Sequence, residues 1–290
     1  MSLELKNIKK SYRDKEVLKG IDASMTNGIY GFLGANGVGK TTLFKIISGY
    51  ITNFQGQLIY PKINEKKELM LGFLPQTFDG YPDMTIYEFL AYLGNIKSDF
   101  TQKKIDGDIG EKLDLFNLTD LKDKKLKKLS GGQRRRVGLA QAFLLNPRIV
   151  MLDEPTTGLD PTERIKFKNY ITDAGHDQIL LISTHIVSDL EYIAKEIFIL
   201  KNGHFVMAGP EKELISKCEG LVWEAKYENE MDLHKRTKDM AVSMIYDFEG
   251  GLKARIISKS SPNPSAVPVK PTLNDVYLVN FKKEATANAE

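Results

Sequence analysis

Apolar and polar residues alternate along LELKNIKKSY and again along VLKGIDASM, the period of two expected of strands with one buried face, and the two read as an antiparallel pair. GIYGFLG, next in the chain, is a short apolar run that reads as a buried strand. The period then changes. In TTLFKIISG, Leu43, Ile46 and Ile47 share one face of a helix that stops at Gly49. From roughly Thr85 to Leu145 the helical pattern dominates, through TIYEFLAYLGNI, KLDLFNLTDL and RRVGLAQAFLLN. PRIVMLDEP returns to a continuous apolar run, as in a parallel strand covered on both faces, and ERIKFKNYITDA and QILLIS add a further helix and strand. The order predicts an α/β core with a helix-flanked parallel sheet, preceded by antiparallel strands and interrupted by a helical insert at about 77–145.

Beyond about Lys217 the character shifts to a small α+β unit. LVWEAKY places Leu221, Trp223, Ala225 and Tyr227 on one strand face, and MIYDFEGGLKARII reads as a hairpin turning at Gly250 and Gly251. SKSSPNPSAVPVKP has the Ser and Pro content of a linker. In TLNDVYLVNF, Thr272 and Asp275 have capping-box spacing, and Leu273, Val276, Tyr277 and Phe281 share a helical face. The last residues, EATANAE, read as a frayed tail. The expected division is therefore residues 1–217 and a small accessory domain over 218–290, with no internal repeat.

Composition narrows the function classes only modestly. The 290 residues are 42% hydrophobic, enough for a sizeable core, and 41 Lys and Arg against 38 Asp and Glu give a net charge of +3, too small a surplus to argue for nucleic acid. The single cysteine, Cys218, excludes an internal disulfide framework, and the four histidines lack metal-ligand spacing. MSLELKNIKK lacks the apolar run of a secretory signal, and no stretch of about 18 apolar residues could span a bilayer, so a cytoplasmic setting is expected.

The chemistry is carried by GANGVGKTT, which matches G-x-x-x-x-G-K-[ST] between a strand and a helix. In such a loop Asn36, Gly37, Val38 and Gly39 offer backbone N–H groups to the phosphates of a nucleotide, and the helix opening at Lys40, Thr41 and Thr42 points its positive end at them. Lys40 would reach the β- and γ-phosphates, and Thr41 would hold magnesium (Mg2+). IVMLDE leaves Asp153 at the carboxyl end of its strand, placed to hold Mg2+ through its water shell, and Glu154 next to it is placed to take a proton from an attacking water. A second stretch of this kind, LSGGQ, has Ser130 at an N-cap position and Gly131 and Gly132 exposing backbone N–H groups, with Val137, Ala140 and Leu144 as the buried stripe of the following helix. The run KDKKLKKLSGGQRRR, with eight basic residues against one acid and almost no aromatics, reads as a solvated face beside a phosphate site, so no nucleic acid is expected as a partner.

These motifs, in this order, resemble the ATP-binding cassette (ABC) ATPases over about residues 2–217. The resemblance implies a P-loop NTPase (ABC ATPase) core with an antiparallel β subdomain and helical insert, plus the small C-terminal α+β domain, and ATP and Mg2+ as cofactors. It makes Tyr12 the aromatic that stacks on adenine, although read alone Tyr12 is equally a strand-surface aromatic. Gln76 in FLPQ becomes the glutamine joining core to insert, among the catalytic and metal-contacting residues. His185 in ISTH becomes the catalytic switch histidine on the γ-phosphate, and Asp160 in TGLD the aspartate of the loop after the second strand carboxylate. Ser130, Gly131, Gly132 and Gln133 would grip the nucleotide held by a partner subunit, so that two chains sandwich two ATP molecules, with a homodimer favoured because both half-sites are intact in one chain.

The family resemblance further implies integral membrane permease subunits as partners and a peripheral place on the inner face of the cell membrane. PTLNDVYLVNF and TTGLDP are similar to segments of the drug, antibiotic-peptide and sodium exporter group, which points to export. A soluble ABC ATPase acting as an assembly factor, as in iron-sulfur cluster biogenesis, is the alternative. Two-cassette translation factors and coiled-coil chromosome proteins do not fit 290 residues.

Overall fold

The computed structural model describes residues 2–61, 71–238 and 240–285, with side chains through Phe281. The chain opens with β1 (Leu3–Tyr12) and β2 (Lys15–Met25), which pair antiparallel as the alternation predicts, and β3 (Gly28–Leu33) leads through the glycine loop into α1 (Lys40–Ile47). β4 (Gln55–Ile59) pairs with β1 and completes a three-stranded antiparallel sheet ordered β2-β1-β4. After β5 (Leu71–Leu74) comes the helical insert: α2 (Ile86–Lys97), α3 (Gln102–Leu115) and α4 (Gly131–Phe143). β6 (Ile149–Asp153), α5 (Pro161–Ala174), β7 (Ile179–Thr184), β8 (Glu196–Lys201), β9 (His204–Gly209) and α6 (Glu211–Ser216) follow. The central sheet runs β5-β6-β7-β3-β8-β9, parallel except for β9 at one edge.

That sheet is sandwiched, and its sequence shows why. Along β6, Val150 and Leu152 join the core on the side of the helical insert and α5, while Ile149 and Met151 face α1 and the antiparallel sheet. β7 divides in the same way, with Leu180 and Ile182 on one side and Ile179 and Leu181 on the other. With successive side chains pointing to opposite faces and both faces covered, every position must be apolar, hence the continuous runs. Burial of each such side chain contributes about 1.5–3 kcal/mol. α4 lies so close to β5 that a Cβ on Gly72 would fall 1.8 Å from the carbonyl oxygen of Ala142, a separation no side chain permits.

Several expectations change. KLDLFNLTDL is not one helix: α3 ends at Leu115, Asn117 takes a positive φ of 52°, and only a single 3-10 turn, Thr119–Leu121, follows. The basic run is not wholly a solvated face. Its lysines lie near the surface, but Arg135 is 7% exposed, because its guanidinium finds buried carbonyl acceptors described below. The Ser and Pro-rich stretch is not only a linker, since its Val267 and Pro268 pair with Glu224 and Trp223 at a sheet edge where proline's missing N–H does no harm.

The C-terminal unit comprises β10 (Val222–Tyr227), α7 (Glu230–Arg236), β11 (Ala241–Phe248), β12 (Gly251–Ile257), β13 (Val267–Pro268) and α8 (Leu273–Ala285), its antiparallel sheet ordered β11-β12-β10-β13. The hairpin turns one residue earlier than expected, at Glu249 and Gly250, with Phe248 opposite Gly251. α8 runs two residues into the expected tail EATANAE, whose residues 286–290 lie outside the described residues. Its Leu273, Val276 and Phe281 do not pack within the small unit's own core; they belong to the large core of the α/β sheet, beside Leu214 and Cys218.

α8 is pinned at its start by an ionic knot. Asp275 is fully buried, accepts hydrogen bonds from Arg255 at 2.7 and 2.9 Å, and accepts from the Thr272 N–H at 2.8 Å. Burial pushes the Asp275 carboxyl up, but the bonds from Arg255 and Thr272 outweigh it and hold the pKa below the usual aspartate value. A depressed carboxyl contributes stability above its unfolded pKa and loses it as pH falls through the folded one. Arg255→Met should therefore lower unfolding free energy by about 3 kcal/mol at neutral pH, measured by urea titration. That deficit should shrink as the medium is acidified through the aspartate range, and a deficit independent of pH would sink the assignment.

Candidate functional site

The glycine loop and the ends of β6 and β7 meet at the start of α1. Gly39 caps α1 with φ 114°, a conformation that favours glycine, and a Cβ there would press on Leu18 at 2.9 Å. No side chain caps this helix and no acid sits in its first turn, so its leading N–H groups face an anion unopposed. Asn36 and Gly37 are exposed on the loop, and Val38 is half-buried beside Gly39. Lys40 is 6% exposed, and its Nζ donates to the carbonyl oxygens of Gly34 at 2.6 Å and Ala35 at 2.9 Å. Burial lowers its pKa below the usual lysine value, and the carboxylates of Glu154 and Asp153 oppose that fall.

Thr41 Oγ1 donates to Asp153 Oδ2 at 2.7 Å, which joins two residues 112 positions apart in sequence. Thr42 lies half-buried beside it in α1. The Glu154 N–H donates to Ser183 O at 2.8 Å, and Glu154 itself adopts φ 52°. Its carboxylate accepts from His185 Nδ1 at 2.9 Å. Lys40, Thr41, Asp153, Glu154 and His185 are thus one constellation.

The remaining expected residues lie in attached groups. Gln76 is exposed just past β5, and its carbonyl shares the Arg135 guanidinium with the carbonyls of Asp153 and Glu154. Ser130 and Gln133 form a capping box at the start of α4: Ser130 Oγ accepts from the Gln133 N–H at 3.2 Å, and Gln133 Oε1 accepts from the Ser130 N–H at 3.1 Å. The Ser130 hydroxyl proton is left available for an anion. Gly131 is exposed, and Gly132 rests against Gly158 O, 2.9 Å from where a Cβ would stand. Asp160 caps α5 reciprocally with Glu163, and Glu163 Oε1 lies 3.2 Å from Arg136 Nε. Tyr12 ends β1 with 46% exposure, its ring 5.0 Å from Lys10 Nζ. Among the described residues, no hydrogen bond or ion pair joins Tyr12, Ser130–Gln133 or Asp160 to the Lys40 constellation.

The chain matches the family model described as ABC transporter over residues 18–157. An ABC transporter ATP-binding protein of Bacillus subtilis strain 168, YxlF, is 31% identical over 247 residues, 84% of this chain and 83% of its own length. This chain belongs to the ABC transporter ATP-binding proteins. The ATP-binding protein LptB of the lipopolysaccharide export system of Haemophilus influenzae is 30% identical, over 74% of this chain and 92% of its own. A solved ATP-binding subunit of an ABC transporter superimposes with a TM-score of 0.68 at 23% identity, covering 75% of this chain and 93% of that one, and confirms the fold. As a member of the family, the chain is a nucleotide-binding ATPase with a P-loop NTPase core.

Several residues that position this cassette's site went unread in the sequence. Thr156 and Thr184 both donate to Asp189 Oδ2, at 2.7 and 3.0 Å, and so tie the turn after Glu154 to the segment carrying His185. Separated by 5 to 33 positions, these small polar residues have no spacing that betrays contact. Arg134, Arg135 and Arg136 did carry a signal. Three cations within the first two turns of a helix oppose its dipole and need acceptors elsewhere.

Lys40→Ala should weaken ATP binding about ten- to a hundredfold, measured by fluorescent-nucleotide titration, since it removes charge-assisted hydrogen bonds worth about 1.5–3 kcal/mol. Because its pKa is lowered, Lys40 sheds its proton at lower pH than an ordinary lysine. Native affinity should therefore fall as pH rises through that value, a limb that Lys40→Ala should lack; identical pH profiles would refute the role.

Proposed function

We propose that the chain is the ATP-hydrolysing subunit of a membrane exporter, in which two copies close head to tail around two ATP molecules and drive separate permease subunits. The observation that carries this reading is the pairing of two anion-binding helix starts within one chain, with the hydrolytic groups gathered at only one of them. α1 has Lys40, Thr41, Asp153, Glu154 and His185 about it, whereas at the start of α4 Ser130, Gly131 and Gly132 make, among the described residues, no hydrogen bond to that group. A second copy would supply the missing half, each α4 start meeting the γ-phosphate on the other chain's α1, with Gln133 shaping the helix start and Asp160 beside it.

Within one half-site, the N–H groups from Asn36 to Gly39 and those of Lys40, Thr41 and Thr42 would hold the phosphates, with Tyr12 against adenine. The donors suit magnesium, a hard cation that favours oxygen ligands and keeps several waters, because a threonine hydroxyl and a buried carboxylate stand 2.7 Å apart. Among the described residues no group of three or more His, Cys, Asp or Glu could hold a metal without substrate oxygens. Thr41, Asp153 and Gln76 would hold the ion, which offsets phosphate charge when bound. Glu154 would accept the proton of the attacking water, and His185 Nδ1 keeps its carboxylate oriented.

The helical insert near Gln76 would bear on the permease, and residues 218–290 would form an accessory unit that steadies the dimer. Among the described residues no helix is long and apolar enough to cross a membrane, so the permease would hold the cassette at the inner face. Export as the direction draws support from the lipopolysaccharide-export relative.

Glu154→Gln should keep native ATP affinity while abolishing turnover, because an amide accepts a hydrogen bond but takes up no proton; ATP-dependent dimers should then accumulate in gel filtration. Residual hydrolysis within a few-fold of native would remove Glu154 as the base. The head-to-tail pairing is tested by mixing Lys40→Ala with Gly131→Asp, chosen because a Cβ at Gly131 meets nothing within 4 Å of its own chain. Each variant alone should be inactive, and the mixture should recover activity through its one intact composite site. A Gly131→Asp chain that hydrolyses ATP normally would leave the second helix start without a role.

A further inference from the structure

The basic run ends in three arginines, and the middle one does not face solvent. The Arg135 guanidinium reaches three places at once. Nη1 donates to Pro75 O at 2.8 Å and Gln76 O at 3.1 Å, Nη2 donates to Asp153 O and to Glu154 O at 2.6 Å, and Nε approaches Pro155 O at 3.5 Å. One side chain of α4 therefore satisfies the carbonyls that follow β5 and those that end β6.

The location matters because Glu154 holds φ 52°, a region that residues with a Cβ adopt only where the surroundings impose it. On its amino side the residue is tied through its N–H to Ser183 O, and on its carboxyl side its carbonyl accepts from Arg135 at 2.6 Å and, more weakly, from the Thr157 N–H at 3.2 Å. Remove the guanidinium, and only the longer Thr157 bond restrains that carbonyl, so the peptide can relax toward right-handed values and turn the carboxylate off His185 Nδ1. Arg135 is also five residues from Ser130, on the same rigid helix. A lysine could not substitute, since one nitrogen with three donors cannot span carbonyls on two strands as the planar fork does.

We propose that Arg135 is a positioning residue for ATP hydrolysis, which locks the backbone of Glu154 and of Gln76 to the helix that begins at Ser130. The inference rests on the reading of Glu154 as the catalytic base.

The test uses the purified full chain with Arg135→Ala, Arg135→Lys and Glu154→Gln, measuring kcat, KM, ATP affinity and melting temperature. Arg135→Ala should lose about a hundredfold in kcat, the scale of a catalytic group misplaced by an ångström, with KM and ATP affinity near native. Arg135→Lys should not recover it. Guanidinium ion at non-denaturing concentration should restore part of the turnover of Arg135→Ala and none of that of Glu154→Gln. Native kcat in Arg135→Ala, or a loss of kcat that tracks loss of ATP binding and resists guanidinium, would overturn the proposal. Should Arg135→Ala fail to fold, Arg135→Lys decides: native kcat overturns the proposal, and a fallen kcat with intact ATP binding upholds it. An active Glu154→Gln would instead remove the underlying reading, whatever the arginine variants do.

Discussion

Parallel strands buried on both faces end with carbonyl oxygens inside the protein, and here β5 and β6 end side by side. Each buried carbonyl left without a donor costs about 1–3 kcal/mol. The Arg135 guanidinium meets the need, and much else then falls into place. It sets a positive charge behind Asp153, which is 1% exposed, while Lys40 stands in front. Burial draws the pKa of both cations below their ordinary values, and the carboxylates of Asp153 and Glu154 act in the opposite direction. A buried charge is tolerable only when paired in this way, so the site and its support form one electrostatic unit.

Much of this was legible in the sequence because its causes are local. The P-loop depends on glycines next to one another, β6 and β7 on uninterrupted apolar runs, and the starts of α4 and α8 on residues three apart: Ser130 with Gln133, and Thr272 with Asp275. Contacts between distant segments were legible only where a motif named both ends, as for Thr41 and Asp153, expected at one ion. Nothing local joins Asp189 to Thr156, or Arg135 to Pro75; only the parallel crossovers bring them together. The break in KLDLFNLTDL was missed for a related reason. Phe116 and Leu118 continue the apolar period, but they do so from a turn at Asn117 and still reach the core.

Reciprocal helix caps recur at the loops that begin α4 and α5. Ser130 and Asp160 each anchor the helix they begin, through reciprocal bonds with Gln133 and Glu163, and Arg136 then bridges α4 to Glu163. Such a cap fixes the entry of the loop as well as the start of the helix. The two loops are held against each other, Gly132 on Gly158.

The seating of α8 bears on the order in which the protein can be made. Leu273, Val276 and Phe281 close a core to which Ile29 and Leu33 also contribute, so residues some 240 positions apart share one buried apolar cluster. A ribosome releases the first of these long before the last. During synthesis that layer stays uncovered at the patch α8 will fill, and its apolar side chains remain exposed until α8 emerges. The layer that Ile29 and Leu33 begin is thus closed only when α8, some 240 residues further along the chain, packs onto it.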